Sequence, residues 1–233
     1  MDSLSQTTLD ALLLLVTGDA ELWSIIRVSF STTLKAMLLV TPLAFMLSFT
    51  LSIARFRGRW ILIAFFNTLL GVPTVVIGLT LYLLLSRSGP LGDLRLLFTE
   101  PAMIIGQMLI AFPLLVAMGL AAFASADRRA WETTRTLGAS PLRAMLTLMV
   151  EVRFGLAAAG AAAYGRIISE VGCSMMVGGN ILNYTRTIPT AIALETSKGE
   201  FTQGIALGIV LLLLALALNF SVSLMQRKRD RYS

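Results

Sequence analysis

The chain has 233 residues, 56% hydrophobic and only 14% charged, with a mean hydropathy of +0.81. A soluble domain carries about 25% charged residues, so this chain cannot cover a water-facing surface and needs lipid as part of its solvent. The formal charge is +6, with no histidine and a single cysteine, Cys173. That excludes an intrachain disulfide and removes the commonest general base and a common metal ligand; no metal site is expected.

Residues 1–24 hold no Lys or Arg, and the early apolar run from Leu12 to Val16 is too short for the core of a signal peptide. They are expected to form a periplasmic lead-in, partly helical, ahead of an uncleaved first span. A bilayer core needs roughly 20 apolar residues in helical form, because backbone polar groups must be satisfied internally. Five segments qualify: about 25–54, 61–86, 102–126, 154–177 and 201–225. The first carries Arg27 and Lys35 in its outer half.

The loops set the direction. With the N-terminus outside, the inner segments hold Arg55, Arg57, Arg59, Arg128, Arg129, Arg135, Arg143 and Arg153, and the tail adds Arg227, Lys228, Arg229 and Arg231. The outer segments hold only Arg87, Arg95, Arg186 and Lys198. The positive-inside rule therefore puts the N-terminus out and the C-terminus in. The same rule accounts for the excess of basic residues, so nucleic acid is not expected as a partner. The expected fold is an all-α, multi-pass integral membrane protein of about five transmembrane helices.

The inner loop 127–153 is too charged for a span and too patterned for a linker. Residues from Trp131 to Leu137 suit a short helix, and Gly138 adopts φ > 0 easily just past a helix end. Ser140 offers an N-cap oxygen and Pro141 fits a first helical position. Two short helices are expected to meet at a tight turn. Trp131 lies away from any span end and needs a role other than an interfacial anchor.

In this loop Glu132-Thr133-Thr134 stands six residues before Gly138 and is followed by Ala139-Ser140-Pro141. The pattern resembles the E-A-A-x-x-x-G segment of ABC importer permeases, with threonines in place of the alanines and Val150-Glu151 where that family often has Leu-Pro. Elsewhere Gly71-Val-Pro-Thr-Val-Val-Ile-Gly78, Leu83-Leu-Leu-Ser-Arg-Ser-Gly-Pro90 and Ser169-Glu-Val-Gly-Cys-Ser-Met-Met-Val-Gly-Gly-Asn180 resemble tungstate-specific permeases. So does the stretch from Tyr184 through Thr187 and Thr190 to Phe201. The resemblance implies a type I ABC importer permease fold over 1–233, with a coupling loop at 127–153 and a periplasmic loop at 178–200. It implies a homodimer with the pathway at its interface, two ATP-binding subunits in the cytoplasm, and a periplasmic or lipid-anchored tungstate-binding protein. Trp131, Glu132, Thr133, Thr134, Gly138 and Ala139 would form the element that couples to the ATPase, with Trp131 as an apolar anchor at that interface. A permease for molybdate or another oxyanion is the alternative.

No G-x-x-x-x-G-K-[ST] loop occurs, so ATP and Mg belong to a partner chain; this chain is expected to bind no cofactor and to have no catalytic residues. An intramembrane enzyme would need catalytic groups clustered at one depth, and only Glu170 and Arg166 offer themselves. A passive pore would leave the patterned inner loop without a role. Pathway candidates are Thr41, Thr74, Gln107, Ser169, Glu170, Ser174 and Arg186. For Glu170 two readings stand: a pathway group, or a packed carboxylate paired with Arg166 one turn earlier. For Arg186 the readings are an oxyanion or partner contact at the outer mouth, or a solvated loop residue.

Overall fold

A computed structural model describes Leu13 and residues 16–54, 56–126 and 128–230. Most of the expected lead-in, Arg55, Asp127 and Arg231 lie outside the described residues.

The first long helix, α1 (Ala20–Ile53), starts where the Asp19 carboxylate accepts the Leu22 N–H at 2.8 Å. That side-chain cap places the helix start several residues before the apolar run. Its 34 residues span about 51 Å at 1.5 Å per residue, more than a bilayer core. Helix α2 (Arg59–Leu69) and helix α3 (Thr74–Leu85) follow, then a 3-10 turn at Gly92–Leu94. Next come α4 (Glu100–Ala124), the short pair α5 (Arg128–Thr136) and α6 (Pro141–Glu151), and α7 (Arg153–Ile168). The chain closes with α8 (Gly172–Gly178), α9 (Ile188–Lys198) and α10 (Phe201–Asp230).

Three helices, α1, α4 and α10, are each long and apolar enough to cross a membrane. Two further spans require bent pairs, α2 with α3 at 96° and α6 with α7 at 77°. Two expected spans are thus corrected. The second, 61–86, is not one straight helix. Gly71 and Val72 close the end of α2 with tight bonds to Thr68 O and Leu69 O. Pro73 then has no N–H to continue the ladder, and its carbonyl starts α3 by accepting from Val76. The fourth, 154–177, stops at Ile168 and resumes as α8 only after a turn at 169–171. There the Ser169 hydroxyl folds back to within 2.9 Å of Gly165 O and 3.1 Å of Arg166 O, competing with the ladder. The outer segment 178–200 is not a plain loop, because it contains α9.

Helix α1 lies along α4 over much of its length. They meet closely at Gly119, where an added Cβ would sit 2.6 Å from Ser48 Oγ. The Ser48 hydroxyl, fully buried, lies 2.7 Å from Ala44 O and 3.1 Å from Val116 O, so it is satisfied in the apolar contact. The main core gathers α1, α3, α4, α7 and α8 around residues such as Val40, Leu115, Ala163 and Val177. A smaller core ties the outer end of α1 to α9 and α10 through Leu22, Ile25, Ile188 and Leu207. Large apolar side chains on α1 (Leu38, Leu43), α2 (Trp60, Phe65) and α10 (Leu212, Leu216) face outward. Water does not tolerate such continuous faces, and they fit lipid or a second membrane chain.

Candidate functional site

The hairpin of α5 and α6 follows from local chemistry. Leu137 N–H bonds Thr133 O at 3.0 Å and Gly138 turns the chain at φ +83°. Ser140 Oγ accepts the Arg143 N–H at 3.4 Å to start α6, and Pro141 stands at its first turn. The Arg135 guanidinium donates to Ala139 O at 2.7 Å and clamps the turn. The hairpin is therefore a shaped protrusion.

Its two faces differ. The Trp131 ring packs edge-on against Phe49 of α1, with centroids 5.4 Å apart, and Phe49 packs in turn on Phe123 of α4. Arg135 covers the Trp131 ring at 6.0 Å. Trp131 thus points back to the membrane helices. Glu132, Thr133 and Gly138 are exposed, while Thr134 and Ala139 are half-buried. At the tip Leu137 is 83% exposed and Leu142 62% exposed, and Leu146 and Val150 continue the apolar strip along α6. The opposite face of α6 buries Ala144 and Leu148. Sequence reasoning passed over this strip; the i, i+4, i+8 spacing of Leu142, Leu146 and Val150 was the signal.

Within the membrane helices the candidates divide. Glu170 is 6% exposed and its Oε1 accepts the Cys173 N–H at 3.0 Å, capping α8. It makes no ion pair with Arg166 among the described residues, since α7 ends between them and the i, i+4 geometry is lost. The pairing reading is corrected: Glu170 serves the start of α8. Ser174 is buried on that helix, which packs against α3 and α4. Gln107 of α4 is 3% exposed, and its Oε1 has no hydrogen-bond partner among the described residues. Thr74, the first residue of α3, borders a cavity of about 440 Å³ at the α2–α3 bend. Ser169 is exposed but its hydroxyl is spent on α7, and Thr41 lies half-buried on α1 beside Pro42.

Arg186 is neither solvated nor free. Its side chain is 14% exposed, and Nη1 reaches Glu21 Oε1 at 3.3 Å while Nε donates to Asn180 O at 3.5 Å. The outer segment around it is tightly organised. The buried Thr185 hydroxyl donates to Gly178 O at 2.5 Å and accepts from Ile181 N–H at 3.0 Å. Thr187 and Thr190 form a capping box, and Ile188 N–H donates to Ser29 Oγ of α1 at 2.6 Å. Arg186 is one of the pins that hold this segment to α1.

The chain is 47% identical over 161 residues to the tungstate uptake system permease protein TupB of Campylobacter jejuni, covering 69% of this chain and 67% of that one. It is 34% identical to the protein of the same name from Peptoclostridium acidaminophilum, over 94% of this chain and 96% of that one. The chain belongs to the tungstate uptake permease family of ABC transporters. No family model matches it. The molybdenum transport permease ModB of Haemophilus influenzae stands further off, 28% identical over 72% of this chain and 77% of that one.

Solved structures agree on the architecture of this ABC permease. A chain of a bacterial alginate ABC transporter, solved with a pentasaccharide-bound periplasmic protein, superposes with a TM-score of 0.69 at 15% identity, covering 93% of this chain and 82% of that one. A chain of the MetNI methionine ABC transporter in inward-facing conformations does so with 0.62 at 17% identity, over 93% and 96%. The permease is thus an all-α, multi-pass membrane protein of the type I importer fold. One residue lining the α2–α3 cavity, Arg166, was considered in the sequence as a partner for Glu170 and as one of two catalytic candidates, but not as a pathway group. A cation within the fourth expected span was the signal.

Proposed function

We propose that this permease carries tungstate inward across the bacterial cytoplasmic membrane as a homodimer. Two ATP-binding subunits would sit below it and a periplasmic tungstate-binding protein above. The single observation that carries this reading is the higher identity to tungstate uptake permeases than to a molybdenum permease, sustained over most of the chain. The α5–α6 hairpin supports the ATPase contact. Its outward residues Glu132, Thr133 and Gly138 and the apolar strip of Leu137, Leu142 and Leu146 would dock on the partner. Trp131 would link that hairpin to α1 and α4, so movement of the docked partner reaches the membrane helices. The permease itself performs no bond chemistry, and ATP and Mg stay on the partner.

The test is uptake by the three-part assembly in lipid vesicles, with tungstate as substrate and molybdate and sulfate as competitors. ATP-dependent tungstate uptake that excess molybdate does not abolish is the expected result. Preferential molybdate uptake would keep the permease role and replace the substrate. Absence of ATP-dependent uptake from a verified assembly would refute the importer reading.

A further inference from the structure

The cavity of about 440 Å³ opens where α2 and α3 part at their 96° bend. Its wall is made of α2 and α3 residues such as Leu69, Ile77 and Leu84, and of Leu109, Pro113 and Leu114 from α4. Those α4 residues lie in the middle third of a 25-residue helix, so the cavity is at mid-membrane depth rather than at either interface. Among the described residues the only polar side chains on the wall besides Arg166 are Thr74 and Thr80, and the Thr80 hydroxyl is committed to Val76 O at 2.8 Å.

Arg166 is the one charged residue of this wall among the described residues. It is exposed, and among the described residues no hydrogen bond or ion pair holds its guanidinium. The carboxylate nearest in sequence, Glu170, is turned away to cap α8. An uncompensated guanidinium at this depth is costly and persists where it faces water or a passing ligand. Its planar fork matches two oxygens of an oxyanion at once. A single cation among apolar walls also suits transit, since a site on a pathway must bind well enough to admit the ion and weakly enough to release it. The N-terminal end of α3 at Thr74, on the same wall, adds to the positive field.

We propose that the Arg166 guanidinium is the mid-membrane contact for the oxyanion during its passage, in the cavity opened by the α2–α3 break. This inference rests on the reading of the chain as an oxyanion permease. The test uses the full assembly in vesicles, with Arg166→Cys modified after assembly so that folding is not at issue. One reagent, aminoethyl methanethiosulfonate, restores a positive charge; the other, sulfonatoethyl methanethiosulfonate, installs a negative one. Cys173 is buried at 2% exposure, and the unaltered permease treated alike, with cysteine-free partner subunits, reports any effect through it.

Arg166→Cys is expected to lower tungstate uptake about tenfold or more, the scale of one charge-assisted contact. The cationic reagent should recover most of it and the anionic reagent none. ATP hydrolysis stimulated by tungstate-loaded binding protein should stay level throughout, which a residue that merely supports the fold would not allow. Unchanged uptake in Arg166→Cys, failure of both reagents to react, equal effects of the two reagents, or a parallel fall in ATP hydrolysis would each overturn the proposal. If the unaltered permease imports molybdate instead, the substrate reading falls while the Arg166 contact is judged on that anion. If it imports no oxyanion, both readings fall together.

Discussion

Gly106 of α4 offers a sharp test of the packing, because its neighbour is identified atom by atom. A Cβ added there would lie 2.7 Å from Cys173 Sγ, whereas the next neighbours, Leu81 Cδ1 and Val177 Cγ2, are at 3.5 and 3.8 Å. Ordinary contact begins near 3.5 Å, so the overlap is confined to the sulfur. Overpacking of this size costs about 1–3 kcal/mol, partly offset by the better helix propensity of alanine, up to about 1 kcal/mol. Gly106→Ala should therefore lose about 1–2 kcal/mol net, equivalent to about 2–8 °C in Tm for a domain of this length. Removing the sulfur removes the cause. The double variant Gly106→Ala/Cys173→Ala should return to within about 0.5 kcal/mol of Cys173→Ala alone, a favourable coupling typical of residues in contact. Gly78 is the control: its added Cβ would lie 2.7 Å from Cys173 Cα, a backbone atom that no substitution at 173 removes. Gly78→Ala should be destabilising with or without Cys173→Ala. Thermal unfolding of the detergent-purified permease, followed by tryptophan fluorescence, reads all five variants. Rescue of Gly78→Ala by Cys173→Ala, or no rescue of Gly106→Ala, would refute this description of the α3–α4–α8 junction.

Three further outcomes follow from named contacts. Glu170→Ala should lose about 1–2 kcal/mol through the missing cap on Cys173 N–H, while Glu170→Gln, which keeps an acceptor, should lose less than half of that in the same unfolding assay. Leu137→Asp with Leu142→Asp should leave Tm within about 2 °C, because both are exposed surface positions, yet reduce co-purification of the ATPase subunit; Trp131→Ala should do the reverse first, lowering Tm by loss of its packing on Phe49. Ser29→Ala strands the buried Ile188 N–H and should cost about 1–3 kcal/mol, with faster proteolysis of the 178–200 segment as the direct readout.

Membrane class, helical content and the patterned inner loop were legible from composition because each rests on local or summed properties. Low charge, runs of about 20 apolar residues and the Gly-Ala-Ser-Pro turn need no distant partner. The turn was read down to its parts, with Gly138 at positive φ and Ser140 as the cap. Family resemblance supplied the substrate class, which no physical reading of these residues could have reached.

What needed the tertiary structure was the assignment of each side chain to a partner. Hydropathy sums along the chain, so it read straight through Pro73 and through the turn at 169–171, where the helices in fact break. A helical wheel placed Glu170 over Arg166, but the wheel stops with the helix, and the carboxylate turns to a backbone N–H instead. Arg186 found Glu21 and Trp131 found Phe49, each across a long stretch of sequence. Pattern records which residues share a face of one helix; only the packing of helices on one another decides which of those faces meet. That packing left Arg166 on the wall of the α2–α3 cavity, with no ion pair among the described residues.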